Sequence, residues 1–290
     1  MTVLEILNWA TDHLKEHGIE NPRLNAELLL CRSMHLSREQ LYIRLHGQIR
    51  EDDRKTLEGL IRRRTSGEPL QYILGHQEFW SFNLKVDPRV LIPRPETEHL
   101  VEEALSGLAK ISSKKIPSVL ELGTGSGAIA ISLAREVRNI ILVATDLSGE
   151  ALMVARENAK QAGVSDKIRF VRGDLMAPFH PGEAFDMILS NPPYLSDLEI
   201  GNLPREVRDH EPIIALKGGE NGLEFYRRLI SQIPAHLKRE GWILLEVGSH
   251  QADSVSQMIE AEGCFGKLES VRDLAGIKRV VKAQKVEGGQ

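Results

Sequence analysis

The most constraining feature of this 290-residue chain is a change of pattern along its length. After residue 96, short apolar strands alternate with amphipathic helices, an order typical of an α/β fold with a mostly parallel, doubly wound sheet. Strands are predicted near 119–122, 140–145, 168–171, 185–190, 242–247, 268–272 and 279–282, and helices near 96–110, 127–137, 149–162, 223–237 and 251–262.

The region before this alternation predicts only helices. Capping patterns begin at Thr2 and Ser37, the pair Asn21-Pro22 places a cap before a helix-starting proline, and 51–66 carries another apolar stripe. The following segment alternates apolar and polar residues, which indicates a β-hairpin or extended linker. We therefore expect a small helical bundle domain at 1–78, a linker at 79–95, an α/β domain at 96–283 and a tail at 284–290.

Composition excludes several classes of protein. The net charge of −4 disfavours a protein held to nucleic acid by bulk charge, because phosphate binding needs a basic surface. Two cysteines fit neither a disulfide framework nor a zinc pattern, and the histidines lack ligand spacing, so we expect no metal. No apolar run reaches the ~18–20 residues of a membrane span, and the N-terminus does not resemble a signal peptide. We expect a cytoplasmic protein with no membrane association.

A glycine-rich loop lies where the first strand of the α/β domain meets the next helix. It runs from Glu121 to Ala128, and Gly123, Gly125 and Ala128 match the dinucleotide spacing G-x-G-x-x-A. Glycines permit a tight turn and close approach of a ligand, and the amides at the helix start are expected to be free donors. A plain strand-to-helix turn is the alternative interpretation.

Two carboxylates follow the next strands. Asp146 ends the second strand 19 residues after Gly127, where it can accept both ribose hydroxyls of an adenosine cofactor, and Asp174 follows the third strand, where it can meet the adenine. Either aspartate can instead cap the next helix, a role for which Ser148 competes. These residues predict an adenosine-bearing cofactor but leave NAD and S-adenosylmethionine open.

The segment Asn191-Pro192-Pro193-Tyr194 follows the fourth strand at the edge where ligands bind in open α/β sheets. The prolines fix φ and remove two backbone donors. The Asn191 side-chain carbonyl and the Pro192 backbone carbonyl can therefore accept both hydrogens of one planar –NH2 group, over which Tyr194 can pack. Such dipoles stabilise the positive charge that grows on nitrogen during methyl transfer. A rigid proline turn with an asparagine cap is the alternative.

In this order, the glycine loop, Asp146, Asp174 and Asn-Pro-Pro-Tyr resemble the S-adenosylmethionine-dependent amino-methyltransferases. That class includes N(6)-adenine methyltransferases of DNA and RNA and the glutamine N(5)-methyltransferases of peptide release factors (HemK/PrmC-type). Segments outside the core resemble the release-factor enzymes, and the resemblance covers residues 1 to about 283. These segments are 67–75, 78–80, 90–98, 211–212, 215–216, 218–222 and 273–276. One departure is His210, where that family often has phenylalanine.

The resemblance implies a class I methyltransferase-type Rossmann-like domain and a helical N-terminal domain that helps to dock the substrate. It implies methyl transfer from S-adenosyl-L-methionine, with S-adenosyl-L-homocysteine as product. The acceptor would be the glutamine of the Gly-Gly-Gln motif in class 1 peptide chain release factors, and its modification would tune translation termination. Nucleic-acid adenine methylation, nicotinamide chemistry and non-catalytic binding remain rival functions.

The site expected from these considerations has two sets of residues. The catalytic set is Asn191, Pro192, Pro193 and Tyr194, and the cofactor-binding set is Glu121, Gly123, Thr124, Gly125, Ser126, Gly127, Asp146, Asp174, Leu175 and Asn191. The roles of Arg94, Glu96 and Glu246 are left open.

The charge of the helical region bears on the partner. Residues 1–78 carry 11 basic and 12 acidic side chains, which favours a protein substrate over stable nucleic-acid binding. We expect a monomer. The last three residues, Gly288-Gly289-Gln290, spell the target tripeptide, for which a terminal tail with a chance match is the favoured interpretation and a weak pseudo-substrate the alternative.

Overall fold

The structure is a computed structural model that describes residues 1–112, 115–180 and 182–286. The chain divides into two compact units. One contains Met1–His76 and Pro204–His210, and the other contains Gln77–Leu203 and Glu211–Gln290. The C-terminal tripeptide Gly288-Gly289-Gln290 lies outside the described residues, so the structure does not test the alternative that it is a pseudo-substrate.

Twelve α-helices are found in the described part of the chain. They are α1 (Val3–Glu16), α2 (Pro22–Met34), α3 (Arg38–Ile43), α4 (Glu51–Thr65), α5 (Leu70–Leu74), α6 (Glu98–Ser112), α7 (Ala128–Glu136), α8 (Gly149–Gln161), α9 (Asp197–Gly201), α10 (Arg205–Arg208), α11 (Glu224–His236) and α12 (Ala252–Ala261). Short 3-10 helices at Pro95–Thr97 and Ile213–Ala215 add to them.

Nine strands are found in the same residues. They are β1 (His76–Phe79), β2 (Phe82–Lys85), β3 (Ser118–Leu122), β4 (Ile141–Asp146), β5 (Ile168–Arg172), β6 (Phe185–Ser190), β7 (Leu237–Glu246), β8 (Phe265–Arg272) and β9 (Lys278–Lys285).

The helical unit forms as its capping signals predict, with one exception. Thr2 and Ser37 each form a capping box with the residue three positions later. Asn21 lies at the cap position of α2, but its φ of 48° is left-handed and its side chain makes no cap hydrogen bond. The segment 204–210 joins this unit, since Glu206 of α10 pairs with Arg64 of α4 at 2.7 Å.

The larger unit is built on a seven-stranded sheet in the order β5-β4-β3-β6-β7-β9-β8. Neighbouring strands from β5 to β7 are parallel, and β9 is antiparallel to both β7 and β8. Helices cover both faces over two apolar core clusters. The predicted α/β fold with a mostly parallel sheet is therefore confirmed.

Local differences from the sequence prediction lie where turn chemistry dominates. The two-stranded hairpin ends at Lys85 rather than near 94, and its connection, Trp80 and Ser81, has positive φ at both residues, as a type I′ turn requires. Strand β7 begins five residues before 242, since its pairing with β6 continues across an irregularity next to Glu240, which also has positive φ.

The topology creates one crevice. From β3 the chain moves outward through β4 to β5 and then returns to β6 on the other side of β3. The carboxyl ends of β3 and β6 therefore flank a switch point, where open α/β sheets bind ligands.

Candidate active site

A cavity of about 280 Å³ lies at this switch point. It is lined by loops after β3, β4, β5 and β6, by part of the segment before α6 and by residues near 212–217. Of the residues predicted from the sequence, it brings together Glu121, Gly123, Thr124, Gly125, Ser126, Asp146, Asp174, Leu175, Asn191 and Pro193. Three predicted residues, Gly127, Pro192 and Tyr194, are not part of its lining.

The glycine loop shapes the cavity through its backbone. Gly123, Gly125 and Gly127 all have positive φ. A Cβ on Gly125 would meet nothing within 4 Å, so this glycine leaves open space for a ligand, whereas a Cβ on Gly127 would lie 3.2 Å from the Cβ of Ala155. Gly127 therefore serves close packing of α7 against α8, which explains why it does not line the cavity.

Three amides of this loop, all before the first residue of α7, are engaged within the protein. The Thr124 amide donates to the Thr145 carbonyl at 2.8 Å, and the Gly127 amide donates to the Thr124 carbonyl at 2.8 Å. The Gly125 amide donates to Asp146 Oδ2 at 2.9 Å. Since dinucleotide sites offer such amides to a pyrophosphate, this loop is poorly equipped for phosphate groups.

Asp146 supports the loop and borders the cavity at the same time. Its Oδ1 atom accepts the Ser148 amide at 2.8 Å, while Ser148 itself caps α8 through the Ala151 amide. Burial raises the pKa of the Asp146 carboxyl, and hydrogen bonds from backbone amides oppose that rise. Asp146 is therefore not the cap of the next helix.

Asp174 lies after β5 and forms an ion pair with Arg228 of α11 at 2.6 Å. Both side chains line the cavity and are about half exposed. The turn that holds Asp174 requires the preceding Gly173, because a Cβ there would lie 2.0 Å from Cγ of Pro178. Asp174 caps no helix in this structure, since no described helix begins after it before α9.

Glu121 places a buried carboxyl group on the cavity wall. The side chain is 1% exposed, and its Oε2 atom accepts the Thr124 hydroxyl at 2.7 Å. Its Oε1 atom has no hydrogen-bond partner among the described residues. Burial raises the pKa of Glu121 to about 7, with a further contribution from nearby Asp146. The site therefore contains an acceptor without a donor.

Asn191 follows β6, and the nitrogen end of its side-chain amide is held by a hydrogen bond. The Nδ2 atom donates to Thr97 Oγ1 at 3.1 Å. Pro193 also lines the cavity, whereas Pro192 is buried. The Tyr194 side chain packs against the core cluster that contains Tyr226, and burial raises its pKa to about 12. Tyr194 therefore remains neutral at physiological pH.

The glycine-rich segment 218–222 packs tightly against the backbone of Tyr194. This close packing requires glycines, a role that the sequence did not reveal. A Cβ on Gly218 would lie 2.7 Å from Cα of Tyr194, and one on Gly222 would lie 2.2 Å from the Tyr194 carbonyl oxygen. That carbonyl also accepts Nε2 of Gln251 at 2.8 Å. The backbone around Tyr194 is therefore clamped from two sides.

The structure locates the residues whose roles the sequence left open. Arg94 lines the cavity and pairs at 2.5 Å with the buried carboxyl of Glu211, which also accepts the Ile92 amide at 3.0 Å. Glu96 is half-buried, with Arg279 in its electrostatic neighbourhood. Glu246 is 2% exposed at the end of β7. No sequence signal singled out Thr97, which contacts Asn191.

Among the described residues, no group of three or more His, Cys, Asp or Glu side chains is arranged to hold a metal ion. No helix in the same part of the chain is long and apolar enough to cross a membrane.

Two family models match separate stretches of the chain, and solved structures share its fold over part of its length. Residues 5–75 match the PrmC N-terminal domain, and residues 104–204 match the methyltransferase small domain. The ribosomal protein L11 methylase of Lactobacillus delbrueckii subsp. bulgaricus shares the fold at a TM-score of 0.50 and 22% identity, over 70% of this chain and 86% of that chain. A methyltransferase from Pyrococcus furiosus does so at 0.51 and 20% identity, over 70% and 88%.

Curated relatives align over nearly the full length. The release factor glutamine methyltransferase of Koribacter versatilis is 41% identical over 98% of this chain and 99% of its own length. The protein of the same name from Rhodopirellula baltica is 37% identical over 98% and 96%. With this identity spanning both units, the chain belongs to the release factor glutamine methyltransferase family.

Proposed function

We propose that this protein transfers a methyl group from S-adenosyl-L-methionine to the side-chain amide nitrogen of a glutamine. The acceptor is the glutamine of the Gly-Gly-Gln motif in class 1 peptide chain release factors, where methylation tunes translation termination. One observation carries the proposal. The same cavity is lined by the carboxyls of Glu121 and Asp146 and by Asn191, so a cofactor site and an acceptor site for –NH2 adjoin.

The residues present fit this cofactor. Glu121 offers a buried oxygen without a donor, which suits the ammonium group of a methionine moiety. Asp146 suits the ribose hydroxyls and Asp174 the adenine. The engaged loop amides suit a cofactor without phosphates better than NAD. Contacts are proposed for Glu121, Gly123, Thr124, Gly125, Ser126, Asp146, Asp174, Leu175 and Asn191, with Gly127 in a packing role.

The chain's own residues would act on the acceptor amide. When bound, S-adenosyl-L-methionine supplies an electrophilic methyl group on its sulfonium. Asn191 Oδ1 and the Pro192 carbonyl would accept the two hydrogens of the glutamine –NH2 and hold its nitrogen in line with that methyl. These acceptors would stabilise the positive charge that develops on nitrogen as the N–C bond forms, and one N–H proton would then pass to solvent. No strong base is needed before the methyl transfers.

Pro193 and Tyr194 would hold this geometry. Pro193 fixes the backbone, and the packed ring of Tyr194 supports the turn from behind. Direct packing of the Tyr194 ring on the substrate amide stays a prediction, since the side chain does not line the cavity in this structure.

The helical domain at 1–78 is proposed to dock the release factor, with 79–95 as linker and 96–283 as catalytic domain. The nearly equal numbers of acidic and basic residues in 1–78 support a protein partner. We further propose that the enzyme acts in the cytoplasm as a monomer and forms no stable complex with nucleic acid.

Methylation of a purified release factor tests the proposed function. The protein is incubated with methyl-labelled S-adenosylmethionine and, in parallel reactions, release factor, RNA or DNA. We expect label only in the release factor, and none when its Gly-Gly-Gln glutamine is replaced by alanine. Label in nucleic acid alone would replace this function with adenine methylation, and binding of cofactor without any transfer would indicate a non-catalytic protein.

A further inference from the structure

The ends of β6 and β7 bring a second carboxyl close to Asn191. These strands are parallel and in register, with Ser190 paired to Leu245. The next residues, Asn191 and Glu246, therefore lie beside each other at the carboxyl edge of the sheet. Unlike Glu121, Glu246 is not part of the cavity lining, so its charge acts within the protein.

Glu246 is fixed in the backbone and buried at the end of β7. Its backbone carbonyl accepts the Tyr226 hydroxyl at 2.7 Å, which fixes the strand end. Burial raises the pKa of its carboxyl to about 7, while hydrogen bonding from the Thr97 and Asn191 side chains and the charge of Arg279 oppose that rise. Its Oε2 atom has no partner among the described residues. Burial of an incompletely hydrogen-bonded carboxyl group costs free energy, which indicates that Glu246 has a function.

The role follows from the polarity of the hydrogen bonds. A threonine hydroxyl can donate or accept, so Thr97 alone does not decide which end of the Asn191 amide faces it. An ionised carboxylate only accepts, and this is the main form of Glu246 above about pH 7. Because Thr97 Oγ1 accepts Nδ2 of Asn191 at 3.1 Å, the hydroxyl's own hydrogen can be directed to the Glu246 carboxylate, whose pKa it lowers, and Oδ1 of Asn191 is then the end available to a ligand.

We infer that Glu246 and Thr97 are positioning residues that fix the flip state of the Asn191 amide, so that its oxygen faces the acceptor –NH2. This inference rests on the proposed function and deepens it. With the amide reversed, an N–H group would face the substrate –NH2. It would repel the hydrogens that the site must bind and would lose the stabilisation of developing positive charge.

Other charged and titratable groups lie around Glu246. They are Arg279 of β9, Glu96 of the 3-10 helix, Tyr194 after β6 and Tyr226 of α11. Arg279 is already paired with Asp273 at 2.9 Å, so it does not compensate Glu246 alone. The side chains of Thr97 and Asn191 therefore share with Arg279 the stabilisation of the Glu246 carboxylate.

A pair of variants at Thr97 separates hydrogen bonding from packing. Thr97→Val keeps the shape and removes the hydroxyl, and Thr97→Ser keeps the hydroxyl and removes a methyl. We expect kcat of Thr97→Val on release factor to fall about 100-fold, the scale of losing one preorganised polar contact. Thr97→Ser should restore kcat to within a few-fold of wild type. The Kd of cofactor should change little in both.

Equal losses in both variants, or wild-type kcat in a folded Thr97→Val, would overturn the inference, because either would mean that the hydroxyl does not orient the amide. Wild-type methylation of release factor in the same assay establishes the proposed function separately.

A second measurement does not depend on methyltransferase activity. In ¹⁵N NMR spectra, the Asn191 side-chain –NH2 signal is assigned by its loss in Asn191→Ala. We expect slow exchange of these protons with solvent in wild type and in Thr97→Ser, and faster exchange in Thr97→Val and in Glu246→Gln. Unchanged exchange in both altered proteins would overturn the inference even if the wild-type enzyme methylates release factor.

Discussion

Glu121 near the end of β3 and Glu246 at the end of β7 are both buried carboxyl groups with a raised pKa. Their surroundings differ. Glu121 and Glu246 are at most 2% exposed, burial raises the pKa of each to about 7, and each has one oxygen without a partner among the described residues. Glu121 lines the cavity together with Thr97 and Asn191, whereas Glu246 does not line it.

The difference indicates a division of labour. An unpartnered oxygen on the cavity wall is suited to a cationic ligand, so we assign Glu121 to cofactor binding. A carboxylate behind the wall affects only the side chains in contact with it, so we assign Glu246 to orienting the acceptor site. Altering Glu121 should therefore change mainly cofactor affinity, and altering Glu246 should change mainly kcat.

The largest effect is expected at the residue that Glu246 orients. Asn191→Ala removes the oxygen that accepts a substrate N–H, and we expect kcat to fall at least about 1,000-fold, the upper range for such a contact. Because Asn191 is only one of nine residues proposed to contact the cofactor, the cofactor Kd, measured by calorimetry, should remain within a few-fold of wild type. Full activity in this variant would refute the assignment of Asn191.

The next effect is expected at Glu246 itself. Glu246→Gln keeps the size and removes the acceptor-only character of the side chain, so the Asn191 amide can reverse. We expect kcat to fall about 100-fold with little change in cofactor Kd. Steady-state kinetics at saturating cofactor and release factor give kcat, and an increase in cofactor Kd with normal kcat would contradict the different roles assigned to Glu121 and Glu246.

A smaller effect of the opposite type is expected at Glu121. Glu121→Gln removes the charge that faces the cofactor ammonium, and a charge-assisted hydrogen bond of about 1.5–3 kcal/mol corresponds to a roughly 10- to 100-fold rise in Kd. At saturating cofactor, kcat should stay within a few-fold of wild type. The contrary result would be a normal Kd with a large loss of kcat.

The smallest effect concerns stability. Because the pKa of both folded-state carboxyls lies near 7 rather than at 4.5, the folded protein holds more protons than the unfolded chain between these pH values. Their contribution to stability is present at low pH and is lost as the pH rises through about 7. In calorimetry without cofactor, Tm should fall between pH 5.5 and 8, and by a few degrees less in Glu121→Gln. An identical fall in both proteins would show that Glu121 does not titrate in this window.

Strong periodic patterns made the fold predictable from the sequence. The parallel strands were predicted from runs of apolar residues, and the glycine loop was predicted from the spacing of its glycines. Both signals come from residues that are close together in the sequence. The hairpin boundaries and the start of β7 did not, because positive φ at Trp80, Ser81 and Glu240 depends on contacts that propensity does not encode.

The site was predictable only in part, for a related reason. Asp146 and Asn191 follow strands of the same sheet edge, so their place could be inferred from order alone. Thr97 and Glu246 reach Asn191 from positions 94 and 55 residues away along the chain, and nothing local marks them. The engaged amides of Thr124 and Gly125 were likewise invisible, because their acceptors, the Thr145 carbonyl and Asp146, belong to another strand.

The most direct test of the central claim is the mass of the release-factor peptide that contains Gly-Gly-Gln, after incubation with cofactor and either wild-type protein or Asn191→Ala. We expect one added methyl group on the glutamine side chain with wild-type protein and none with the variant. An unmodified glutamine with wild-type protein, or equal modification by both proteins, would contradict methyl transfer at this site.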